Sequence, residues 1–225
     1  MAAGLRVAID LDGTVADLSA AMHAVATRRA ARDLETDGAD NTVPDAQERP
    51  ALRDLALTSD QLDQLWATVL RIRNFWTTLA EMEPGAVRRL AELAAARRWD
   101  VLFITTRPPS AGATTQVQSQ QWLEACGFPC PSVYVVKGSR GKIADALQLD
   151  AVVDDRPENC LDVAVESSAR PFLVWSGSES ELPRGAVRHG VTLVPTINAA
   201  LDALVELDRD RQGGMGRSLR RLFGR

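Results

Sequence analysis

The sequence lacks long apolar runs and contains little cysteine. No segment of its 225 residues approaches the roughly 18 consecutive apolar residues that a membrane-spanning helix needs, so no membrane span is expected. Its three cysteines cannot all pair, and Cys126 and Cys130 have neither a second pair nor a nearby histidine to complete a zinc site. This cysteine content favours a reducing, cytoplasmic location.

Basic residues are also scarce over most of the chain. Lys and Arg number 26 against 30 Asp and Glu, and the formal charge is −4. Five arginines and no acidic residue follow from position 211 onward, so the part before it has 21 basic and 30 acidic residues. An acidic body argues against nucleic-acid binding as the main function. The basic end, residues 209–225, is predicted to be a flexible tail.

Short apolar runs alternate with helical patterns. Six runs are short and apolar, as in strands that are buried on both faces of a parallel sheet. They are residues 5–11, 101–104, 133–136, 151–153, 172–175 and 191–194. Helical spacing of apolar residues recurs between them, at 84–97, 116–125, 141–147 and 197–207. The alternation predicts an α/β fold with a Rossmann-like, doubly wound parallel sheet.

One long interval interrupts the alternation directly after the first predicted strand. Residues 15–82 contain no strand candidate, only helical patterns around a polar stretch at 33–50 that has the composition of a loop. We interpret 15–82 as a small helical cap near the carboxyl end of that strand, where ligands of such sheets bind. The core would then comprise residues 1–14 and 83–208.

Two carboxylates end the first predicted strand, at Asp10 and Asp12. Because side chains alternate along a strand, both point to one side of the chain. Paired carboxylates repel each other unless a cation is present, and oxygen ligands of this kind suit Mg²⁺. Gly13 allows the chain to turn sharply after them.

A second carboxylate pair, Asp154 and Asp155, ends the fourth predicted strand. Parallel strands deliver their carboxyl ends to the same edge of a sheet, so the two pairs are expected to converge. A metal ion is the simplest explanation for four converging acids. The sequence therefore predicts a Mg²⁺ site that draws on Asp10, Asp12, Asp154 and Asp155.

Groups that suit phosphate oxygens complete the pattern. Thr105, Thr106 and Arg107 follow the second strand and supply hydroxyl and guanidinium donors. Lys142 begins the helix before the fourth strand and supplies a positive charge, with Lys137 as an alternative.

These motifs, in this chain order, resemble the four motifs of the haloacid dehalogenase (HAD) superfamily of phosphohydrolases. Further short segments, at 74–76, 84–87, 121–123 and 154–157, are similar to its 5′(3′)-deoxyribonucleotidase branch. The resemblance implies a Rossmann-like core with a helical cap and a Mg²⁺ cofactor. It also implies a small phosphorylated substrate, a nucleoside or deoxynucleoside monophosphate within that branch.

The resemblance implies a role for each matching residue. Asp10 would attack phosphorus and form an aspartyl-phosphate, and Asp12 would act as general acid and then as general base. Thr105 and Lys142 would hold the transferring phosphoryl oxygens. The metal would be bound by the Asp10 carboxylate, the Asp12 main-chain carbonyl and one acid of Asp154 and Asp155.

Several alternatives stay open at this point. Thr106 could take the place of Thr105, and Arg107 could bind phosphate or pair with an acid of the 154–155 pair. Phe75 and Trp76 could flank a nucleobase or belong to the cap core. The substrate could instead be a sugar phosphate, a cofactor precursor or a polynucleotide end, and a non-catalytic binding module is a further hypothesis. The sequence does not indicate an oligomeric state.

Overall fold

Eight β-strands occur in the structure, a computed structural model that describes residues 4–30, 57–177 and 187–223. They are β1 (Arg6–Asp10), β2 (Ala16–Asp17), β3 (Ala80–Glu81), β4 (Asp100–Thr105), β5 (Ser132–Val135), β6 (Ala151–Asp154), β7 (Arg170–Val174) and β8 (Thr192–Val194). Six of them form a parallel sheet in the order β5, β4, β1, β6, β7, β8. Each of the six predicted apolar runs coincides with one of these strands, so the predicted α/β, Rossmann-like fold is confirmed.

The central strands have apolar side chains on both faces. Every residue of β6 is buried, as are the last four residues of β1. A strand covered on both faces cannot alternate between apolar and polar residues, which explains why these runs are continuous in the sequence. β1 and β6 pair in parallel with Ile9 opposite Val153, and each strand ends one residue later.

Within the described residues, seven α-helices connect or follow the strands. They are α1 (Leu18–Ala30), α2 (Ser59–Arg71), α3 (Ala86–Arg97), α4 (Thr115–Ala125), α5 (Arg140–Ala146), α6 (Pro157–Glu166) and α7 (Ile197–Phe223). The helical patterns predicted α3, α4, α5 and the first part of α7. They did not single out α6, although Pro157 at its first turn is a helix-start signal and Cys160 and Val163 form its buried side.

The chain divides into two compact units. Unit 1 comprises Met1–Ile9, Arg89–Val101 and Ser139–Arg225, and unit 2 comprises Asp10–Arg88 and Leu102–Gly138. This division follows other boundaries than the predicted core and cap, because unit 2 joins the inserted segment to most of β4, to α4 and to β5.

Unit 1 is held together by close helix packing and by ion pairs. A Cβ at Gly141 of α5 would lie 2.2 Å from the carbonyl oxygen of Asp162 in α6, so only glycine allows this approach. Arg97 pairs with the buried Asp208 of α7 at 2.9 Å. α7 continues to Phe223, so the backbone is helical over most of the segment predicted to be a flexible tail.

The inserted segment of unit 2 is mainly helical in its described part. Asp17 caps the start of α1 through its carboxylate, which accepts a hydrogen bond from the main-chain N–H of Ala20 at 2.8 Å. Contrary to the prediction of no strand between 15 and 82, the short strands β2 and β3 pair with each other in antiparallel orientation. Two-residue strands leave no periodic signal in a sequence. The polar stretch predicted as a loop, residues 33–50, lies outside the described residues.

No helix among residues 4–30, 57–177 and 187–223 is long and apolar enough to cross a bilayer. None of the three cysteines, all of which lie in the described residues, forms a disulfide bond.

Candidate active site

A tight turn directly after β1 sets the position of Asp12. The main-chain N–H groups of Val15 and Ala16 both donate to the Leu11 carbonyl, at 2.9 and 2.8 Å. Gly13 lies within this turn with φ = 86°, a conformation that favours glycine. The side chains of Asp10 and Asp12 are both buried there.

Asp12 forms a buried ion pair with Arg107 in unit 2. Arg107 Nη2 donates to Asp12 Oδ1 at 2.7 Å, and Arg107 Nε lies 3.0 Å from Oδ1 and 2.9 Å from Oδ2. Neither side chain is more than 3% exposed. The guanidinium therefore holds the carboxylate through two nitrogens in the interior of unit 2.

Thr105 closes the same cluster. Its Oγ1 accepts a hydrogen bond from the main-chain N–H of Arg107 at 3.3 Å and lies 3.5 Å from Asp12 Oδ2. Thr105 is buried, whereas the neighbouring Thr106 is partly exposed. The hydroxyl of Thr105 thus already interacts with Asp12, and that of Thr106 is the more accessible of the two.

A socket of aromatic rings encloses the guanidinium of Arg107. Its Cζ lies 4.9 Å from the ring centroid of Trp76 and 5.8 Å from that of Trp122. Arg107 Nη1 also donates to Ser119 Oγ at 3.0 Å. Both rings are anchored by main-chain carbonyls, since Trp76 Nε1 donates to Pro108 at 3.0 Å and Trp122 Nε1 donates to Leu79 at 2.8 Å.

Phe75 and Trp76 are packed in the interior of unit 2. Their exposed fractions are 2% and 0%, and their rings meet edge to face at 5.1 Å. Trp76 also contacts Trp66, with centroids 6.3 Å apart. Of the two open alternatives, this burial favours the one in which both rings belong to the cap core over the one in which they flank a nucleobase.

Asp154 is the centre of a second buried cluster, in unit 1. Both of its carboxylate oxygens accept hydrogen bonds from Asn159 Nδ2, at 3.1 and 2.9 Å. The main-chain N–H of Arg156 donates to Oδ1 at 2.8 Å, and Arg140 Nε lies 3.6 Å from Oδ2. Burial raises the pKa of Asp154, against the opposing effects of Arg140, of the Arg156 main-chain hydrogen bond and of Asn159.

Arg140 lies beside Asp154, whereas Lys142 is the cation that the sequence predicts to hold phosphoryl oxygens. Lys142 is exposed, and Arg140, two residues earlier in α5, is 97% buried beside Asp154. Ser139 caps the helix, its hydroxyl accepting from the main-chain N–H groups of Gly141 and Lys142 at 3.1 and 3.3 Å. The first turn of α5 therefore directs residue 140, and not residue 142, toward the end of β6. Lys142 matches the family motif in the sequence, whereas the burial of Arg140 is a property of the tertiary structure.

Sequence reasoning also missed the polar residues that support the two aspartates. Asn159 lies five positions after Asp154 in the first turn of α6, and this spacing is a signal that could have been used. Ser119 and Trp122 lie three positions apart on one side of α4, but nothing local indicates that this side meets Arg107.

The chemistry of the carboxylates fits a hard divalent cation. No group of three or more His, Cys, Asp or Glu side chains in the described part of the chain could enclose a metal by itself. Mg²⁺ does not require such a cage, because it is usually held by one or two carboxylates and retains several waters. Since both Asp12 oxygens face Arg107, only the main-chain carbonyl of Asp12 suits a metal ligand, whereas the buried carboxylate of Asp154 would be stabilised by a nearby cation.

Three solved structures share the architecture. A hydrolase from Pseudomonas syringae has a TM-score of 0.51 at 16% identity, over 89% of this chain and 98% of its own. A candidate beta-phosphoglucomutase from Thermotoga maritima has a TM-score of 0.57 at 15% identity, over 90% and 99%. A HAD family hydrolase from Deinococcus radiodurans R1, with bound phosphate and sodium, has a TM-score of 0.50 at 19% identity, over 91% and 96%.

The chain has the fold of the HAD hydrolases. No protein-family model and no curated protein matches it. At these identities the similarity establishes the fold, and the activity has to be argued from the site residues. The HAD fold agrees with the order of the sequence motifs, in which the first carboxylate pair follows β1, the threonines follow β4 and the second carboxylate pair follows β6.

Proposed function

We propose that this protein is a HAD phosphatase that hydrolyses a small phosphomonoester through an aspartyl-phosphate on Asp10. The observation that carries the proposal is the buried cluster in which Asp12, after β1, meets Thr105 and Arg107 at the end of β4. A buried carboxylate held two residues after another carboxylate suits a general acid and base beside a nucleophile. Similarity to the hydrolase that binds phosphate supports the same chemistry.

The reaction would proceed in two steps. An Asp10 carboxylate oxygen attacks phosphorus, and the bond to the leaving oxygen breaks as Asp12 supplies a proton to that oxygen. Asp12 then removes a proton from a water molecule, whose oxygen bonds to phosphorus while the bond to Asp10 breaks and releases inorganic phosphate.

Hydroxyl and cationic groups would hold the phosphoryl oxygens between the two steps. Thr105 or Thr106 supplies the hydroxyl, and the partial exposure of Thr106 supports its contact with substrate. Arg140 replaces Lys142 as the buried cation in this proposal, because it is the residue that lies beside Asp154.

A divalent cation, Mg²⁺, would be bound by the Asp10 carboxylate, the main-chain carbonyl of Asp12 and a carboxylate of Asp154 or Asp155. When bound, it would neutralise charge that accumulates on the phosphoryl oxygens. The parallel register of β1 and β6, which end at Asp10 and Asp154, supports this ligand set.

Within this class we propose a nucleoside or deoxynucleoside monophosphate as the substrate. The short segments shared with the deoxyribonucleotidase branch support it, whereas the burial of Phe75 and Trp76 removes stacking on these two rings as an argument. A sugar phosphate is the alternative, which similarity to the candidate beta-phosphoglucomutase favours. The cytoplasmic location favoured by the cysteine content is part of the same proposal.

Phosphate release from a panel of esters tests the proposal. The panel contains 5′- and 3′-mononucleotides, sugar phosphates and 4-nitrophenyl phosphate, each assayed with Mg²⁺ and with a chelator. Asp10→Asn should reduce release to below about one part in 10⁴ of the wild-type rate, because it removes the nucleophile. Retention of most activity in this variant would refute the mechanism, and preference for sugar phosphates would refute the nucleotide assignment alone.

A further inference from the structure

Resting on the proposed function, we propose that Arg107 does not bind substrate but positions the carboxylate of Asp12 for hydrolysis of the aspartyl-phosphate. Arg107 follows a strand end that is expected to face substrate, and an arginine there invites assignment as a phosphate ligand. Its contacts point to a different role. All of them lie within unit 2, among side chains that are themselves buried.

Each nitrogen of the guanidinium donates to a protein group. Its Nε and Nη2 donate to Asp12, its Nη1 donates to Ser119 Oγ, and its plane lies near the rings of Trp76 and Trp122. The side chain of Arg107 is 0% exposed. To reach a phosphoryl group, the guanidinium would have to break its hydrogen bonds to Asp12. The Asp12 carboxylate would then be left beside the two tryptophan rings with no compensating charge. Such a rearrangement is costly, because breaking a buried ion pair leaves a buried charge.

The two oxygens of Asp12 are held unequally. Oδ1 accepts from Nη2 at 2.7 Å and from Nε at 3.0 Å. Oδ2 shares Nε at 2.9 Å and has a long contact of 3.5 Å with Thr105 Oγ1. Oδ1 is therefore the anchored oxygen, and Oδ2 is the oxygen that we assign to receive the proton of the hydrolytic water.

A fork-shaped guanidinium fixes both the position and the plane of a carboxylate, whereas the ammonium group of lysine fixes neither. Ser119 and the two tryptophans in turn hold the guanidinium in place. Arg107→Lys should therefore keep the charge and lose the orientation of Asp12. Because general base catalysis depends on geometry, the step most affected would be removal of the water proton.

Pre-steady-state kinetics with 4-nitrophenyl phosphate and Mg²⁺ tests the proposal. The leaving group of this ester departs without needing a proton, so formation of the aspartyl-phosphate should stay fast in Arg107→Lys. Its hydrolysis should slow by a factor on the order of 100. The variant should therefore release about one nitrophenolate per enzyme in a burst, followed by slow turnover, as should Asp12→Asn.

Two further variants keep the test decisive. Ser119→Ala removes one anchor of the guanidinium and should show a smaller burst in the same direction, which covers the case that Arg107→Lys does not fold. Arg97→Lys weakens an ion pair with buried Asp208 in unit 1 and should show no burst.

The outcomes separate the two proposals. In one outcome the wild-type protein turns over substrate, and both Arg107→Lys and Ser119→Ala lose rate without showing a burst. Arg107 would then be merely structural, and the inference alone would be overturned. A decrease in rate caused wholly by a higher KM in Arg107→Lys would also overturn it, because it would make Arg107 a substrate ligand. A wild-type protein inert toward every ester would overturn the proposed function and the inference with it.

Discussion

The two units each bury an aspartate beside an arginine, but they do so in different ways. In unit 2, Arg107 grips Asp12 through two nitrogens at 2.7–3.0 Å and is itself enclosed by two tryptophans. In unit 1, Arg140 approaches Asp154 only to 3.6 Å, and burial raises the pKa of Asp154 despite this neighbour. The negative charge of Asp12 is thus compensated by the protein, whereas that of Asp154 is compensated incompletely.

This difference suggests different uses for two similar residue pairs. A carboxylate whose two oxygens both accept hydrogen bonds from one guanidinium is held in a fixed orientation. Such an orientation suits a group that must transfer a proton at a defined place. A buried carboxylate whose charge is incompletely compensated is suited to receive a cation from solution. The comparison therefore favours proton transfer as the use of the Asp12 carboxylate and cation binding as the use of the Asp154 carboxylate.

The largest expected difference between the two clusters is in the free energy of unfolding that is lost when Arg107 or Arg140 is replaced. Arg107→Met leaves Asp12 buried against aromatic rings, and we expect a loss of about 3–5 kcal/mol in the free energy of unfolding. Arg140→Met should cost less, because Asp154 keeps the hydrogen bonds from Asn159 and Arg156 and its raised pKa lets a proton neutralise it more readily. Denaturant titration of both variants in the presence of chelator measures the two losses. An equal or larger loss for Arg140→Met would remove the distinction.

Added Mg²⁺ should stabilise the protein through the Asp154 side. At a concentration about 100 times its dissociation constant, a ligand that binds only the folded state adds about 2.7 kcal/mol. For a chain of this size, this corresponds to a rise in Tm of several degrees. Asp154→Asn should abolish the rise, and Asp12→Asn should retain it, because the ligand proposed from Asp12 is its main-chain carbonyl. Thermal melts with Mg²⁺ and with chelator test this, and loss of the rise in Asp12→Asn but not in Asp154→Asn would reverse the assignment.

A smaller effect is expected at Cys126, where burial disfavours the charged thiolate and the nearby charge adds to that effect instead of opposing it. Cys126 is partly buried near Glu81, and burial followed by the Glu81 charge raises the pKa of its thiol to about 11. The thiol should hold its proton at pH 8, and its alkylation rate should rise about tenfold per pH unit up to about pH 11. Mass spectrometry after iodoacetamide treatment follows Cys126, with Cys126→Ser to assign the modified peptide. Glu81→Gln should shift the profile to lower pH, and a profile that levels off near pH 8 would contradict the expected effect of burial.

The fold could be predicted from the sequence because its signal is local. Strands such as β6, with every residue buried, appear as continuous apolar runs, and α3 shows the spacing of a helix with one buried side. The strands β2 and β3, which pair with each other, could not be predicted in this way, since a strand of two residues carries no periodicity. The aspartates were visible for a related reason, because a charged residue that ends an apolar strand stands out against it.

The partners of those aspartates depend on contacts between distant parts of the chain. Asp12 and Arg107 are 95 positions apart, and the pairing depends on the turn at Gly13 and on the socket formed by Trp76 and by Trp122 of α4. Arg140 and Lys142 are both basic and lie two positions apart, so the sequence hardly distinguishes them. Only Arg140 faces the interior, because the N-cap at Ser139 fixes where α5 begins and which side of it is buried.

The sequence by itself therefore determined the α/β class, the order of the strands along the chain and the positions of the acidic residues. These properties follow from local hydrophobic patterns and from where those patterns stop. Tertiary structure decided which cation meets which carboxylate, and it buried Phe75 and Trp76 in the core instead of leaving them for a ligand. Such pairings depend on distances and burial, and residues far apart in the chain acquire both only when the elements pack together.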